Sequence, residues 1–341
     1  MRIVIVSDAW HPQVNGVVTV LDELVTDLQA LGHQVEVIGP HLFATRPCPG
    51  YPQLQLAKPA KGEVAQRLQS HAFDALHVAT EGPLGWAARR WALAAKVPFT
   101  TAYHTRFPEV LKAAVGLPLW LSYAVFKRFH RAATRTLVPT QHVHAMLAAR
   151  GFRHLVPWTH GVDTERFAFS DPASNWPGLA HLTRPIALLV GRVSYEKNID
   201  AFLNMSWEGS KVICGEGPLK EGLMKQHPDV TWLGVLPRAE LAKVYGAADV
   251  FVFPSRHETF GLVMLEAMAA GTPVAAFPVD AAQEVMSCPE GQAPGGVLSD
   301  NLAFAAQQAL GIEREAARAH ALRFGLRAVS TRFVASLVPV A

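Results

Sequence analysis

Short aliphatic runs alternate along the chain with longer stretches of helical periodicity. Residues 3–7 are rich in β-branched side chains and end at Asp8 and His11-Pro12, which predicts a strand. Asn15-Gly16 opens a helix that runs to Ala30 and stops at Gly32. Strands are predicted at 34–39, 74–79, 97–102 and 136–139, with an Ala-, Trp- and Arg-containing helix over 86–95. The second half repeats the plan, with strands at 185–190, 211–214, 230–234, 249–254 and 273–277 and helices over 238–246 and 260–270. Strands alternating with helices imply βαβ units, so two α/β domains with parallel sheets are expected. Residues 169–184 have little periodicity and read as the linker. Two such sheets facing each other leave a cleft lined by the loops at their strand ends, where ligands bind.

Composition fits this plan. The chain has 341 residues, half of them hydrophobic and 17% charged, enough for two packed cores. Cys48, Cys214 and Cys288 have no metal or redox spacing and suit a reducing cytosol. No apolar run approaches the roughly 18 residues of a spanning helix, so a cytoplasmic protein, at most peripheral on the inner face of a membrane, is expected. Charge changes the picture more. Residues 1–165 hold 16 Lys and Arg against 11 Asp and Glu, whereas residues 166–341 hold 15 against 17. Between Glu109 and Asp163 there is no acid, while Lys112, Lys127, Arg128, Arg131, Arg135, Arg150 and Arg153 all fall there. Such a surface favours an anionic partner.

Five groups of residues carry candidate chemistry. In the segment from His257 to Glu266, the carboxylates of Glu258 and Glu266 flank a strand-to-helix junction, with Glu266 about two turns into the helix. Gly261 permits close backbone approach, and the amides of the helix start favour negative charge. The spacing fits a ligand's two diols as well as it fits a capping acid and a solvated helix acid; the apolar run after Glu266 argues against the solvated reading. Gly191-Arg192 and Lys197 follow a strand, where two cations can clamp a diphosphate or can be plain surface charges. Asn15-Gly16 follows the first strand, where a glycine before a helix offers amides to a phosphate and where any turn can carry the same pair. His104, closing another predicted strand, can meet a sugar or be structural, and Arg106 can help hold an acceptor. Residues 119–135 read as a helix with a basic side of Lys127, Arg131 and Arg135, joined by Arg128 and Trp120. That side suits anionic lipid headgroups or simple solvation. No dinucleotide fingerprint follows the first strand, and there is no P-loop and no Asp-x-Asp, so a metal-free reaction without a cofactor is expected, and no nucleic-acid partner.

Together these pieces resemble the retaining glycosyltransferases of family 4, which have the GT-B fold of two Rossmann-like, doubly wound α/β domains facing a cleft. The resemblance rests on Asn15-Gly16-Val17, Tyr103-His104-Thr105, His160-Gly161-Val162-Asp163 with Phe167, Gly191-Arg192 with Glu196-Lys197-Asn198, Gly215-Glu216-Gly217-Pro218, and the Glu258, Glu266 pair. It implies an acceptor domain over 1–168, a nucleotide-sugar domain over 183–325, and a final segment, 326–341, whose helix near 330–337 returns to the first domain. It also implies transfer of a hexose from a UDP- or GDP-sugar to a lipid or glycan acceptor, with retention and no obligatory metal. By that resemblance Gly16 approaches the donor phosphate and His104 the sugar, Arg192 and Lys197 hold the diphosphate, Glu258 binds sugar hydroxyls and Glu266 the ribose. Gly191, Gly215, Phe260, Gly261 and Leu262 complete the donor set, and no carboxylate acts as a covalent nucleophile. The stretch from Tyr103 to Glu109 looks most like bacterial members that glycosylate lipids. Asn15-Gly16 stands where many relatives have Gly-Gly, and the loop at 206–211 is short for the family. An idle nucleotide-sugar-binding or membrane-surface protein, or a sugar-nucleotide epimerase of the same architecture, are the competing readings.

Overall fold

The computed structural model describes residues 1–341 apart from Val14, Pro49, Gly50, His71, 170–175, His257 and Ala341. The chain forms two compact units, Met1–His160 with Leu326–Ala341, and Gly161–Gly325.

The first unit opens with β1 (Arg2–Val6), α1 (Gly16–Ala30) and β2 (Gln34–Ile38), followed by a hairpin of β3 (Thr45–Cys48) and β4 (Tyr51–Ala57). Then come α2 (Glu63–Gln69), β5 (Ala75–Val78), α3 (Pro83–Ala95), β6 (Thr100–Ala102), α4 (Phe107–Val115) and α5 (Leu119–His130). β7 (Arg135–Val138), α6 (Gln141–Ala149) and β8 (Leu155–Pro157) follow. The six-stranded sheet runs β2-β1-β5-β6-β7-β8, and every pair is parallel. Ile3, Val4, Ile5 and Val6 are all buried, as a strand covered on both faces requires, so β1 shows a continuous apolar run rather than alternation.

The second unit contains β9 (Ile186–Val190), α7 (Ile199–Leu203), β10 (Ser210–Cys214), α8 (Lys220–Gln226), β11 (Thr231–Gly234) and α9 (Arg238–Ala247). It continues with β12 (Val250–Phe253), α10 (Leu262–Ala269), β13 (Val274–Ala276), α11 (Asp280–Met286), β14 (Gly296–Leu298), α12 (Leu302–Ala309) and α13 (Arg314–Leu322). Its parallel sheet runs β11-β10-β9-β12-β13-β14, a doubly wound order that reverses direction between β9 and β12. Ligands of such sheets bind beyond the carboxyl ends of the strands at this switch.

The last helix, α14 (Leu326–Ser336), belongs to the first unit and starts earlier than the 330–337 that the resemblance implied. Phe333 is fully buried, its ring 4.9 Å from His77 and 5.4 Å from Trp158. Trp158 Nε1 donates to the Val329 carbonyl, and Arg135 Nη1 donates to those of Ala335 and Ser336.

Several expectations need correcting. The helix predicted over 119–135 ends at His130, with Arg131 as its C-cap, and Arg135 starts β7. The amide of Thr134 donates to the carbonyl of Phe99, so this stretch already follows the sheet. Arg135 therefore does not extend the basic stripe. The strand expected at 97–102 is paired only from Thr100. Residues 161–168 and 176–184 pack within the second unit, with Phe167 5.9 Å from Tyr245 and Trp176 Nε1 donating to Glu240, so the linker expected at 169–184 is not where the units part. Residues 170–175 of that expected linker lie outside the described residues.

Candidate functional site

In the second unit, the predicted donor residues converge where the sheet reverses. Gly191 follows β9, and the chain then makes a single 3₁₀ turn, Tyr195–Lys197. Asn198 closes this turn at φ 53°, in the left-handed region that Asn tolerates, and its Nδ2 donates to the Pro254 carbonyl at the end of β12. That bond ties the loop after β9 to the loop after β12. Lys197 Nζ consequently reaches Glu258 Oε2 at 2.5 Å, and the second oxygen of Glu258 accepts from the Thr259 amide at 3.2 Å. A small cavity of about 50 Å³, lined by Gly191, Lys197, Pro254, Ser255 and Val263 among others, sits between the two strand ends. Arg192 is half-buried in the same loop.

Close backbone packing shapes this corner. A Cβ at Gly215 would lie 1.8 Å from the Gly191 carbonyl oxygen, so the loop after β10 lies against the loop after β9 only with glycine there. Gly261 has φ 89° and caps α10, and a Cβ there would meet Met264 Cε at 2.5 Å. Helix α10 begins at Leu262, which places Glu266 about one turn in, rather than two. Phe260 is buried, with its ring 6.5 Å from that of Phe324. Leu262 is half-buried, and His257 lies outside the described residues.

Glu266 is only 3% exposed. Arg238 Nη2 donates to its Oε1 at 3.0 Å and Tyr245 Oη to its Oε2 at 2.9 Å. Burial, together with the neighbouring carboxylate, pushes the Tyr245 hydroxyl well above its ordinary range, so it acts as a donor. Sequence reasoning did not find Arg238 and Tyr245. Both lie on α9, seven positions apart and therefore on one helix face, but only the tertiary fold says that this face meets α10.

The first unit holds the remaining predicted residues. His104 follows β6 and is buried, its ring stacked on His160 at 5.5 Å and edge-on to Trp158 at 6.0 Å. Burial, and next the nearby His130, lowers its pKa to about 4, so the imidazole is neutral around physiological pH. Its Nε2 has no hydrogen-bond partner among the described residues. Asn15 spends its side chain capping α1, with Oδ1 accepting from the amides of Val17 and Val18 at 3.1 Å. Gly16 has open space where a Cβ would project. Arg106 is held by Glu109 at 3.2 Å, which also accepts from Tyr123 at 2.7 Å. On α5 and at its C-cap Arg131, Phe126 and Phe129 are buried while Lys127, Arg128, Arg131 and Trp120 are exposed, Trp120 to 74%.

Asp8, missed in the sequence, lies two residues beyond β1 and is buried against the start of α3. It accepts from the Leu84 and Gly85 amides and from Thr80 Oγ1. Desolvation outweighs these bonds and raises its pKa to about 6. Its place just beyond the aliphatic run of residues 3–6 is the only signal a sequence reader has. Among the described residues no helix is long and apolar enough to cross a membrane.

Residues 14–166 match a family model described as Glycosyltransferase Family 4, and residues 184–310 one described as Glycosyl transferases group 1. The chain is 30% identical over 302 residues to a GDP-mannose-dependent alpha-mannosyltransferase of Mycobacterium tuberculosis, covering 81% of this chain and 79% of the relative. It is 27% identical over 326 residues to an alpha-monoglucosyldiacylglycerol synthase of Streptococcus pneumoniae, covering 81% and 71%. Among solved structures, sucrose-phosphate synthase from Thermosynechococcus elongatus aligns with a TM-score of 0.75 at 22% identity, over 98% of this chain and 97% of the other. Anabaena HepE, solved with UDP and glucose, aligns with a TM-score of 0.71 at 18% identity, over 98% of each chain. At these identities the structural likeness speaks for the fold: two parallel-sheet α/β units of the GT-B type.

Proposed function

We propose, for a chain that belongs to glycosyltransferase family 4 and is a glycosyltransferase, that it moves a hexose from a UDP- or GDP-sugar to a lipid or glycan acceptor, with retention and without a metal. The observation that carries this reading is the Lys197–Glu258 pair at the switch point of the second sheet, beside Arg192. Lys197 and Glu258 hold each other as an ion pair. A donor offers each a better partner, its diphosphate to the ammonium and its sugar hydroxyls to the carboxylate, so neither charge is left bare when the pair opens. Arg192 supplies a planar fork to the same diphosphate. As the bond between the anomeric carbon and the diphosphate oxygen breaks, negative charge grows on that oxygen, and the two cations stabilise it. The acceptor hydroxyl forms the new bond on the same face, and its proton passes to the departing diphosphate.

Glu266 fits the ribose by a narrower route. Its carboxylate is already anchored by Arg238 and Tyr245, which fixes its orientation and leaves its remaining lone pairs for a diol. In the first unit, the neutral His104 is read as a partner of the donor sugar and Gly16 as a point of approach to phosphate. The exposed basic side of α5, with Trp120, is read as meeting an anionic membrane surface, in keeping with a lipid acceptor. The relative that makes a glucosyldiacylglycerol supports that choice.

The test incubates the protein with radiolabelled UDP- and GDP-sugars, with and without anionic vesicles containing diacylglycerol, in the presence and absence of a chelator. Labelled glycolipid with the α-configuration, formed equally with chelator, is the expected result. An inverted product, or loss of turnover on chelation, would sink the retaining or metal-free part. No turnover with any donor would sink the whole reading.

A further inference from the structure

A second cluster of cations lies in the first unit, on elements that the reading above does not use. The β3–β4 hairpin and the start of α3 enclose an open cavity of about 390 Å³. Three of its lining residues are cationic, Arg46 from β3, Lys58 just after β4 and Arg90 from α3, and none is acidic. Trp86, Pro59 and Pro83 supply apolar walls. Trp86 and Arg90 are four positions apart on α3 and so share a helix face. The Trp86 ring is braced edge-on by Phe129 at 5.1 Å and capped by the Arg89 guanidinium at 5.2 Å. Arg89 is itself fastened to the Arg128 and Phe129 carbonyls at the end of α5. The hairpin is held in place as well: the Lys58 amide donates to Ala44 O, and Gln13 Nε2 bridges the carbonyls of Asp8 and Gln55. Two acids on the same sheet edge are sealed away from this surface, Asp8 beneath α3 and Glu81 against His130 at 3.0 Å.

From this arrangement we infer that the cavity is a binding site for a phosphate group carried on a glycerol- or sugar-sized head. Two guanidinium forks and an ammonium match the several oxygens of a phosphate better than the two of a carboxylate. The volume suits a small polar head rather than a free ion alone. The Trp and Pro walls suit the carbon skeleton of that head, since an indole face packs on C–H surfaces while its neighbours hold the charge. The head belongs to the acceptor, an assignment that rests on glycosyl transfer as proposed above; the phosphate site itself does not. Gln13 links β4 to the loop that leads into Gly16, so the hairpin that walls the cavity is tied to that loop.

The experiment measures binding of the full chain to phosphatidylcholine vesicles, to the same vesicles carrying phosphatidylglycerol, and to sn-glycerol 3-phosphate in solution. The variant Arg46→Gln/Lys58→Gln/Arg90→Gln removes the three cations, all on the surface, and a thermal melt verifies that it folds. A control, Lys61→Gln/Lys96→Gln/Arg153→Gln, removes the same charge elsewhere on the first unit. Each cation near an anionic headgroup contributes about fivefold, so the cavity variant should lose on the order of a hundredfold in affinity and the control far less. Loss toward sn-glycerol 3-phosphate identifies a free phosphorylated head; loss confined to phosphatidylglycerol vesicles identifies a lipid headgroup. Wild-type affinity in the cavity variant, or an equal loss in the control, overturns the site. Titration with UDP and GDP runs alongside. Absence of nucleotide binding and turnover with the phosphate site intact would count against the transfer reading alone.

Discussion

Lys197 and Glu258 stand 61 positions apart in the chain and meet at 2.5 Å because Asn198 hooks one loop to the end of the neighbouring strand. Replacing either member with alanine is expected to lower kcat/KM by a factor on the order of 10²–10³ while leaving the melting temperature near wild type. Near-normal rates in both variants would count against the donor assignment. The pair also bears on inhibition by the nucleoside diphosphate product. That product occupies Lys197 but brings no sugar for Glu258, so in Glu258→Gln, where no carboxylate is stranded, the product should inhibit more strongly relative to donor affinity. Glu266 behaves differently, since its partners are structural. Glu266→Gln weakens charge-assisted bonds to Arg238 and Tyr245, and an equilibrium urea melt should show a loss of about 2 to 3 kcal/mol. Asp8 links pH to stability. Its folded pKa of about 6 lies above the unfolded 3.8, so the folded state binds this proton more tightly, and the penalty of ionising it is fully present above pH 6 and gone below 3.8. Wild type should therefore gain relative to Asp8→Asn as the pH falls through this window, by up to about 3 kcal/mol. A difference between the two proteins that stays flat with pH would exclude Asp8 as the group. At residue scale the sequence was legible where a side chain's neighbours are local. Gly261 could be placed by its position between a strand and a helix. Tyr245, Arg238 and Asp8 could not, because each is defined by a partner on another element.

At the scale of elements, apolar periodicity located the central strands well, since strands buried on both faces read as unbroken aliphatic runs. It failed at the end of α5, where Lys127, Arg131 and Arg135 fall at helical spacing although Arg135 begins β7. Spacing between charges says nothing about where the backbone leaves the helix; the bond from Thr134 to Phe99 decides that. The β3–β4 hairpin was also unread, for it has neither a continuous apolar run nor an Asn-Gly turn. On α14, Phe333 fills the space beside His77 and Trp158. Phe333→Ala should destabilise the first unit by about 3 to 5 kcal/mol, seen as an earlier thermal transition.

At the scale of the whole molecule, the alternation of strands and helices and the uneven charge were both visible before any coordinates. The point of division was not. Residues 169–184 carry turn signals that suggest a tether, yet Trp176 donates to Glu240 of the second unit, and the units part at His160, ahead of that stretch. Removing three charges from α5, Lys127→Gln/Arg128→Gln/Arg131→Gln, should weaken binding to anionic vesicles by roughly a hundredfold at low salt and less as salt rises. Sedimentation with vesicles at two ionic strengths checks this. The return of α14 to the first unit has a consequence for synthesis. A ribosome releases residues 1–160 long before it has made Phe333, so the unit that is begun first is completed last. Gly161–Gly325 is continuous and has no such wait. During translation the second half should acquire resistance to protease while the first remains susceptible, reversing the usual N-to-C order in which nascent domains mature.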